Sequence, residues 1–256
     1  MKDFVYATAA VAQAEIRKLM RDPTELFSRA VQPVLWLAVF GQVFSKVRGI
    51  PTGNISYLDF MAPGILAQSI LFTAIFYGIA IIWERDLGII HKLLVTPASR
   101  TALVLGKAVA AGLKGLVQAI VVYLVAMALN VGIRWDFWAM VSVALAVFLG
   151  SCIFATFSLV IACVVKTRER FMGIGQVLTM PLFFASNAIY PIELMPGWLK
   201  VIAIVNPLTY LVDALRDSMI VGSHGMYPLA MSFGVMLVVF LLLLVIASKL
   251  YPGLVR

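Results

Sequence analysis

Residues 60–83 read FMAPGILAQSILFTAIFYGIAIIW, 24 positions between Asp59 and Glu84 without an Asp, Glu, Lys or Arg. A helix of about 20 apolar residues crosses the hydrocarbon core of a bilayer. Working outward, five more stretches share the property: Ala30 to Ser45, Gly115 to Ile133, Phe137 to Val165, Phe171 to Ile192 and Gly225 to Ser248. Their lengths are 16, 19, 29, 22 and 24 residues. The pattern predicts an all-α membrane protein with six transmembrane helices.

Composition agrees. The chain is 62% hydrophobic and 12% charged over 256 residues, against about 25% charged in soluble domains. Six spans and short loops use nearly the whole length, so residues 1–256 read as a single transmembrane domain. The first thirty residues carry Lys2, Arg17, Lys18, Arg21 and Arg29 and lack the apolar core of a cleavable signal. The net charge of +8 is read as loop excess and not as a nucleic-acid surface, because Lys and Arg collect in cytoplasmic loops. With the N-terminus inside, 15 of the 20 Lys and Arg fall on the inner side and five, Lys46, Arg48, Arg134, Lys200 and Arg216, on the outer. Both termini are expected in the cytoplasm, and the protein in the plasma membrane. Cys152 and Cys163 lie about 16 Å apart along one helix, too far to bridge.

Residues 4 to 21 show an apolar stripe of Val5, Ala9, Ala12, Ile16 and Leu19 opposite Arg17, Lys18 and Arg21. Residues 1–28 are therefore expected to form an interfacial amphipathic helix, resting on lipid headgroups, on protein, or on both. Asp22-Pro23 breaks it. Trp83, Trp135, Trp138 and Trp198 suit an aromatic belt, while Trp36 falls inside the first span and either packs between helices or faces a path. Lys114 reads as a snorkelling side chain. The segment from Pro191 to Val212 is apolar but broken by Pro191, Pro196, Gly197 and Pro207, and its run Val201 to Val212 is too short to cross. Residues 191–224 are expected to form an outer re-entrant helical hairpin and loop.

Absences narrow the chemistry. There is no G-x-x-x-x-G-K-[ST] loop and no metal-ligand cluster, so ATP hydrolysis and metal chemistry are not expected on this chain. His91 and His224 fall on opposite sides of the predicted membrane. Ser151 lacks a partner base and reads as a packing residue. All twelve acids lie outside the six uncharged stretches, so the spans are expected to offer no ion-coupling group.

The loop of residues 84–100 is the richest segment. Leu87, Ile90 and Leu94 fall at i, i+3 and i+7, one face of a short helix ended by Thr96-Pro97. Such a helix either docks a partner or caps the bundle. Glu84 can pair with Arg85 or another base, or hold a gate. The loop runs Glu84-Arg85-Asp86-Leu87-Gly88, Lys92-Leu93-Leu94-Val95-Thr96-Pro97-Ala98-Ser99-Arg100, then Gly106-Lys107. It resembles the E-R-x-x-G, K-L-L-x-x-P-x-S-R and G-K series of type-2 ATP-binding-cassette exporter permeases. Tyr190-Pro191, Leu194-Met195-Pro196, Asn206-Pro207-Leu208-Thr209-Tyr210 and the basic turn Lys166-Thr167-Arg168 match in the same order. The chain looks most similar to the daunorubicin-resistance and nodulation-factor export branch.

The resemblance implies a permease subunit, not an enzyme, moving a hydrophobic or amphiphilic drug, lipid or glycoconjugate outward. It implies a homodimer or a pair with a related permease, and two copies of a separate P-loop ATPase subunit that carries ATP and Mg; this chain would bind no cofactor. Glu84, Arg85, Leu87, Gly88, Ile90, His91, Leu94 and Pro97 would form the coupling loop, and Pro191, Pro196, Asn206 and Pro207 the outer hairpin. Gln68, Thr73, Phe76, Tyr77, Phe183, Phe184 and Asn187 are candidates for a path or gate. The alternative is an autonomous secondary transporter or channel, for which Gln68, Ser69, Thr73 and Gln118 are the nearest polar residues within the spans.

Overall fold

The computed structural model describes residues 2–21, 31–44, 55–165 and 167–255. The Asp22-Pro23 break, Arg29, Lys46, Arg48 and Lys166 lie outside them. In chain order the helices are α1 (Lys2–Arg21), α2 (Val31–Phe44), α3 (Tyr57–Asp86), α4 (Ile89–Val95), α5 (Arg100–Ala128), α6 (Phe137–Val164), α7 (Arg168–Phe184), α8 (Gly197–Val205), α9 (Pro207–Met219) and α10 (Leu229–Leu250). Residues Ile192–Leu194 and Tyr251–Val255 form 3-10 turns. The β pairing among the described residues is one bridge, Ile133 to Ile220.

Local sequence sets where the long helices start. Ser56, Ser99, Asp136 and Thr167 cap α3, α5, α6 and α7, accepting from the amides of Asp59 (3.1 Å), Ala102 (3.3 Å), Ala139 (3.2 Å) and Arg170 (3.3 Å). Each cap satisfies an otherwise orphaned N–H. Among the described residues, four helical stretches are long and apolar enough to cross a membrane: α3, α5, α6 and Leu229–Leu254.

Six spans were expected, the first of them short, and the first and fifth uncharged stretches give shorter described helices. The described part of the first, α2, has a π-helical stretch at Trp36–Gly41. The fifth gives α7, which is 17 residues, about 25 Å, and ends at Phe184 although uncharged sequence continues to Ile192. Beyond Phe184 the backbone turns, and lack of charge does not reveal a turn.

Helix α6 lies at the centre, against α3, α5, α9 and α10. A helix with apolar residues all round is what such a position requires. Lipid supplies no hydrophobic drive between helices, so close packing and interhelical hydrogen bonds hold them. Ser158 of α6 shows both: its Oγ donates to the Ile75 carbonyl (2.7 Å) and accepts from the Gly78 amide (3.0 Å) of α3. Cys152 and Cys163 are free thiols. Trp36 packs between helices, stacked on Phe40 at 4.5 Å and edge-on to Phe183 at 6.1 Å.

The bundle has two distinct ends. The loop end carries α1, α4, the start of α5 and residues 251–255. The hairpin end carries the 129–136 connection, α8 and the start of α9. Val201 to Val212 breaks at Asn206-Pro207, where a break was expected, into α8 and α9, whose axes differ by 78°. The stripe read along α1 packs only in part: Ala12 is buried and Ile16 and Leu19 are half-buried, while Val5 and Ala9 are exposed. Glu15 is buried and Val11 half-buried beside them, with α1 packed along α5, and a hydropathy stripe does not count a buried carboxylate.

Candidate functional site

The α3–α4–α5 corner is built by two breaks. Gly88 has φ +72°, a conformation suited to glycine, and it stops α3 while starting α4. Thr96 is extended ahead of Pro97 and closes α4, its Oγ1 donating to the Leu93 carbonyl at 2.6 Å. Because Gly88 separates Leu87 from Ile90, the i, i+3, i+7 spacing does not describe one helix. Leu87 caps α3 and is 69% exposed, Ile90 is fully buried, and Leu94 is half-buried. The uncovered side presents Leu87, Ile89, His91, Lys92 and Val95, the last 88% exposed, with Pro97 beside them. Arg85 donates to Asp86 at 3.0 Å and to the Val165 carbonyl at 3.3 Å. Asp86 also accepts from Arg168 (2.8 Å), whose guanidinium lies 4.0 Å over the Trp83 ring. The corner is thereby tied to the start of α7.

Glu84 is not part of the uncovered corner. It is buried at the end of α3, where its Oε2 accepts from Lys107 Nζ of α5 at 2.6 Å. The same ammonium donates to Glu15 Oε1 of α1 at 3.0 Å. Lys18 bonds to both carboxylates, at 3.3 Å to Glu15, and Lys114 lies 3.9 Å from Glu15 Oε2. Burial pushes the Glu15 pKa up, but Lys107, Lys18 and Lys114 outweigh it and hold it down to about 2 from 4.5. The gap between Lys107 and its neighbours is closed by Gly106. A methyl group there would fall 2.8 Å from the Thr8 carbonyl oxygen and 2.7 Å from Val11 Cβ.

This cluster corrects one expectation. The helices do carry ionisable groups: Lys107 and Lys114 sit inside α5, Glu84 inside α3, and Asp213 and Arg216 inside α9. Stretches chosen for lacking charge cannot contain it, whereas the folded helices run past their ends. Lys114 is accordingly packed among Glu15 and the Tyr77 ring (5.1 Å). The signal available in sequence was the spacing Lys107, Lys114, Gln118 on one face of α5 and Glu84, Tyr77, Thr73 on one face of α3.

The path candidates divide. Gln68 and Tyr77 are buried inside the bundle, and Thr73 with Tyr77, Lys114 and Ser151 lines a small internal void. Phe76 points the other way, into a groove of about 250 Å³ between α3 and α7 that Phe171, Gln176 and Thr179 also line. Phe183 is buried, while Phe184 is 44% exposed. Asn187 is buried, its Nδ2 donating to Asp213 Oδ1 at 2.7 Å.

At the hairpin end each predicted residue sits at a helix start. Pro191 precedes the 3-10 turn and Pro196 precedes α8. Asn206 caps α9, accepting from the Leu208 amide at 3.0 Å, and Pro207 is its first residue. Arg216, read from sequence as a loop cation, is buried. It donates to the carbonyls of Asn187 (2.7 Å) and Phe60 (3.3 Å) and lies 3.9 Å over the Phe60 ring. Asp213, Arg216 and Asn187 line a polar cavity of about 350 Å³ with Glu193 and His224.

A family model described as ABC-2 type transporter matches residues 6–220. The chain belongs to that family. Relatives of this ABC-2 permease carry related names. A "Putative transport permease ycf38" of Cyanophora paradoxa is 31% identical over 201 residues, covering 78% of this chain and 69% of the relative. The "Daunorubicin resistance ABC transporter permease protein DrrB1" of Streptomyces coeruleorubidus is 26% identical over 215 residues, covering 79% and 70%. "Nodulation protein J" of Neorhizobium galegae is 23% identical over 200 residues, covering 77% and 75%. The matched region of the permease takes in the charge cluster, the α4 corner, the groove and the bend at Asn206. It is a multi-helix membrane protein of the ABC transporter class.

Proposed function

We propose that this permease is the membrane subunit of an ATP-driven exporter that works with a separate P-loop ATPase chain. The observation carrying the reading is α4, a short helix at the end of a membrane-length helix, anchored by buried Ile90 and uncovered along Leu87, Ile89, His91, Lys92 and Val95. An apolar patch with basic residues at its edge suits a groove on another protein. In this reading α4 seats in the ATPase, and ATP and Mg belong to that partner. Two copies of the permease, or one with a related permease, pair above two ATPase copies.

The same reading completes the topology. Helices α2 and α7 join the longer helices as spans, giving six, with both termini and α4 in the cytoplasm, as the 15-to-5 distribution of Lys and Arg supports. Helix α1 lies at the inner interface, with Phe4, Val5, Tyr6 and Met20 uncovered beside Arg17 and Arg21. The α8–α9 pair dips in from the outer side and helps close the exit. The cargo is a drug, lipid or glycoconjugate, passing outward along the face that carries Phe76 and Phe184. The daunorubicin-resistance relative, an ABC transporter permease by name, supports a transport role.

The test is to tag the chain, isolate it gently from its native membrane and identify stoichiometric partners by mass spectrometry. A P-loop ATPase at one copy per permease is expected. Its absence under several mild detergents would overturn the reading in favour of an autonomous transporter or channel.

A further inference from the structure

The cluster around Lys107 joins α1, α3 and α5; α1 packs along α5, and the cluster ties that pair to the inner end of α3. Lys107 is 2% exposed and stands two turns into α5. Its ammonium bonds to Glu15 from α1 and Glu84 from α3, residues 92 and 23 positions away in sequence. Lys18 closes the ring from the open side by bonding to both carboxylates. Two cations and two anions alternate, so each charge in the ring has two opposite neighbours, and Glu15 has a third in Lys114. Opposite charges in a poorly hydrated site attract strongly and are expensive to separate.

The ring is also placed to transmit motion. Glu84 lies three residues before Leu87, in the last turn of the helix that leads into α4. Any force applied to α4 therefore reaches Glu84 through continuous backbone. On the other side, Gly106 lets the Thr8 carbonyl of α1 approach α5 closely, so α1 has no room to slide independently there.

We infer that Lys107 is a positioning residue that clamps α1 and the inner end of α3 onto α5, so that the three helices move as one body when α4 is displaced. The displacement of α4 rests on the ATPase-docking reading above; the clamp itself does not.

Spin labels at Ala14→Cys on α1 and Ala80→Cys on α3 report it in the full-length protein, with Cys163→Ala to remove the half-buried thiol. Both label positions are exposed. Interspin distances are measured in lipid nanodiscs, for the permease alone and for its isolated complex with ATP and vanadate. With Lys107 present, the distribution is narrow and the same in both states. In Lys107→Met it broadens about twofold, because an unclamped helix samples more positions. Lys107→Arg, which keeps the charge, restores the narrow distribution. Lys107→Met removes the buried cation that both carboxylates share, leaving them to Lys18 and Lys114, and can fail to insert. Glu15→Ala with Lys18→Ala removes both α1 charges from the ring, leaves the Lys107–Glu84 pair intact and is expected to broaden the distribution alike. A distribution as narrow in Lys107→Met or in Glu15→Ala with Lys18→Ala as in the unaltered protein overturns the clamp. So does an α1–α3 separation that changes on trapping in the unaltered complex. If no ATPase co-isolates, the docking reading fails, while the permease-only comparison still decides the clamp.

Discussion

Asn206 Nδ2 lies 2.9 Å from the Ala185 carbonyl oxygen, so the residue at the bend between α8 and α9 also closes the end of α7. The same nitrogen reaches the Leu182 carbonyl at 2.6 Å, and Oδ1 caps α9 through the Leu208 amide. One side chain therefore supplies both donors and an acceptor where two helices end and one begins. Asn206→Ala is expected to lose about 1–3 kcal/mol, the usual cost of stranding buried polar groups. Asn206→Asp keeps the cap but sets an anionic oxygen against two carbonyls, so it should lower the melting temperature in detergent further than Asn206→Ala.

Gly106 predicts a steric experiment. Gly106→Val places a branched side chain where the Thr8 carbonyl and Val11 already stand. Overpacking of this kind costs about 1–3 kcal/mol, and α1 is the helix free to yield. Accessibility of an Ala12→Cys thiol, buried in the docked helix, is expected to rise while the spans remain inserted.

Glu15 predicts a pH dependence with a definite sign. Its pKa falls from 4.5 to about 2 on folding, because the pull of Lys107, Lys18 and Lys114 exceeds the effect of burial. A depressed carboxylate contributes its stability fully above the unfolded pKa and loses it as pH falls through the folded one. Docking of α1 should therefore hold at pH 5 and weaken progressively between about 4.5 and 2. Glu15→Gln should remove most of that slope. Hydrogen exchange of the α1 amides across this pH range measures it.

The α4 corner separates surface from anchor. Leu87→Asp and Val95→Asp change exposed side chains and should reduce co-isolation of the ATPase without lowering the melting temperature. Ile90→Asp buries a charge and should destabilise the corner itself. Leu94 is half-buried, so Leu94→Asp should show both effects. Unchanged ATPase association in Leu87→Asp with Val95→Asp would count against docking at α4.

Phe184 tests the path. It is exposed next to buried Phe183, with ring centroids 5.4 Å apart. Phe184→Ala and Phe184→Trp should both alter ATP-coupled export while leaving melting nearly unchanged. Two unaltered export rates would remove Phe184 from the path.

Parts of this molecule were legible one residue at a time. The uncharged runs located the apolar core of α2, α3, α5, α6, α7 and α10, and Ser56, Ser99, Asp136 and Thr167 stand where helices start. The proline breaks around residues 191–207 were visible, although not that Asn206 would bond to α7. The corner at 84–100 was recognisable by its motifs, yet its exposed face was not. Gly88 turns the backbone between Leu87 and Ile90, and helical spacing cannot be counted across such a turn.

What the sequence by itself determined is that this chain lives in lipid as helices. Long apolar runs must satisfy their own backbone groups there, and a helix does so within one segment. Tertiary structure alone decided the fate of the charges. Read in isolation, Lys107, Glu84, Glu15, Asp213 and Arg216 are groups that belong in water, and a linear reading assigns them to loops and rims. Folding brings Lys107 to Glu84 and Glu15, and sets Arg216 over Phe60 beside the Asp213–Asn187 pair. Opposite charges from different helices offset one another's desolvation, and that compensation exists only once the helices are packed.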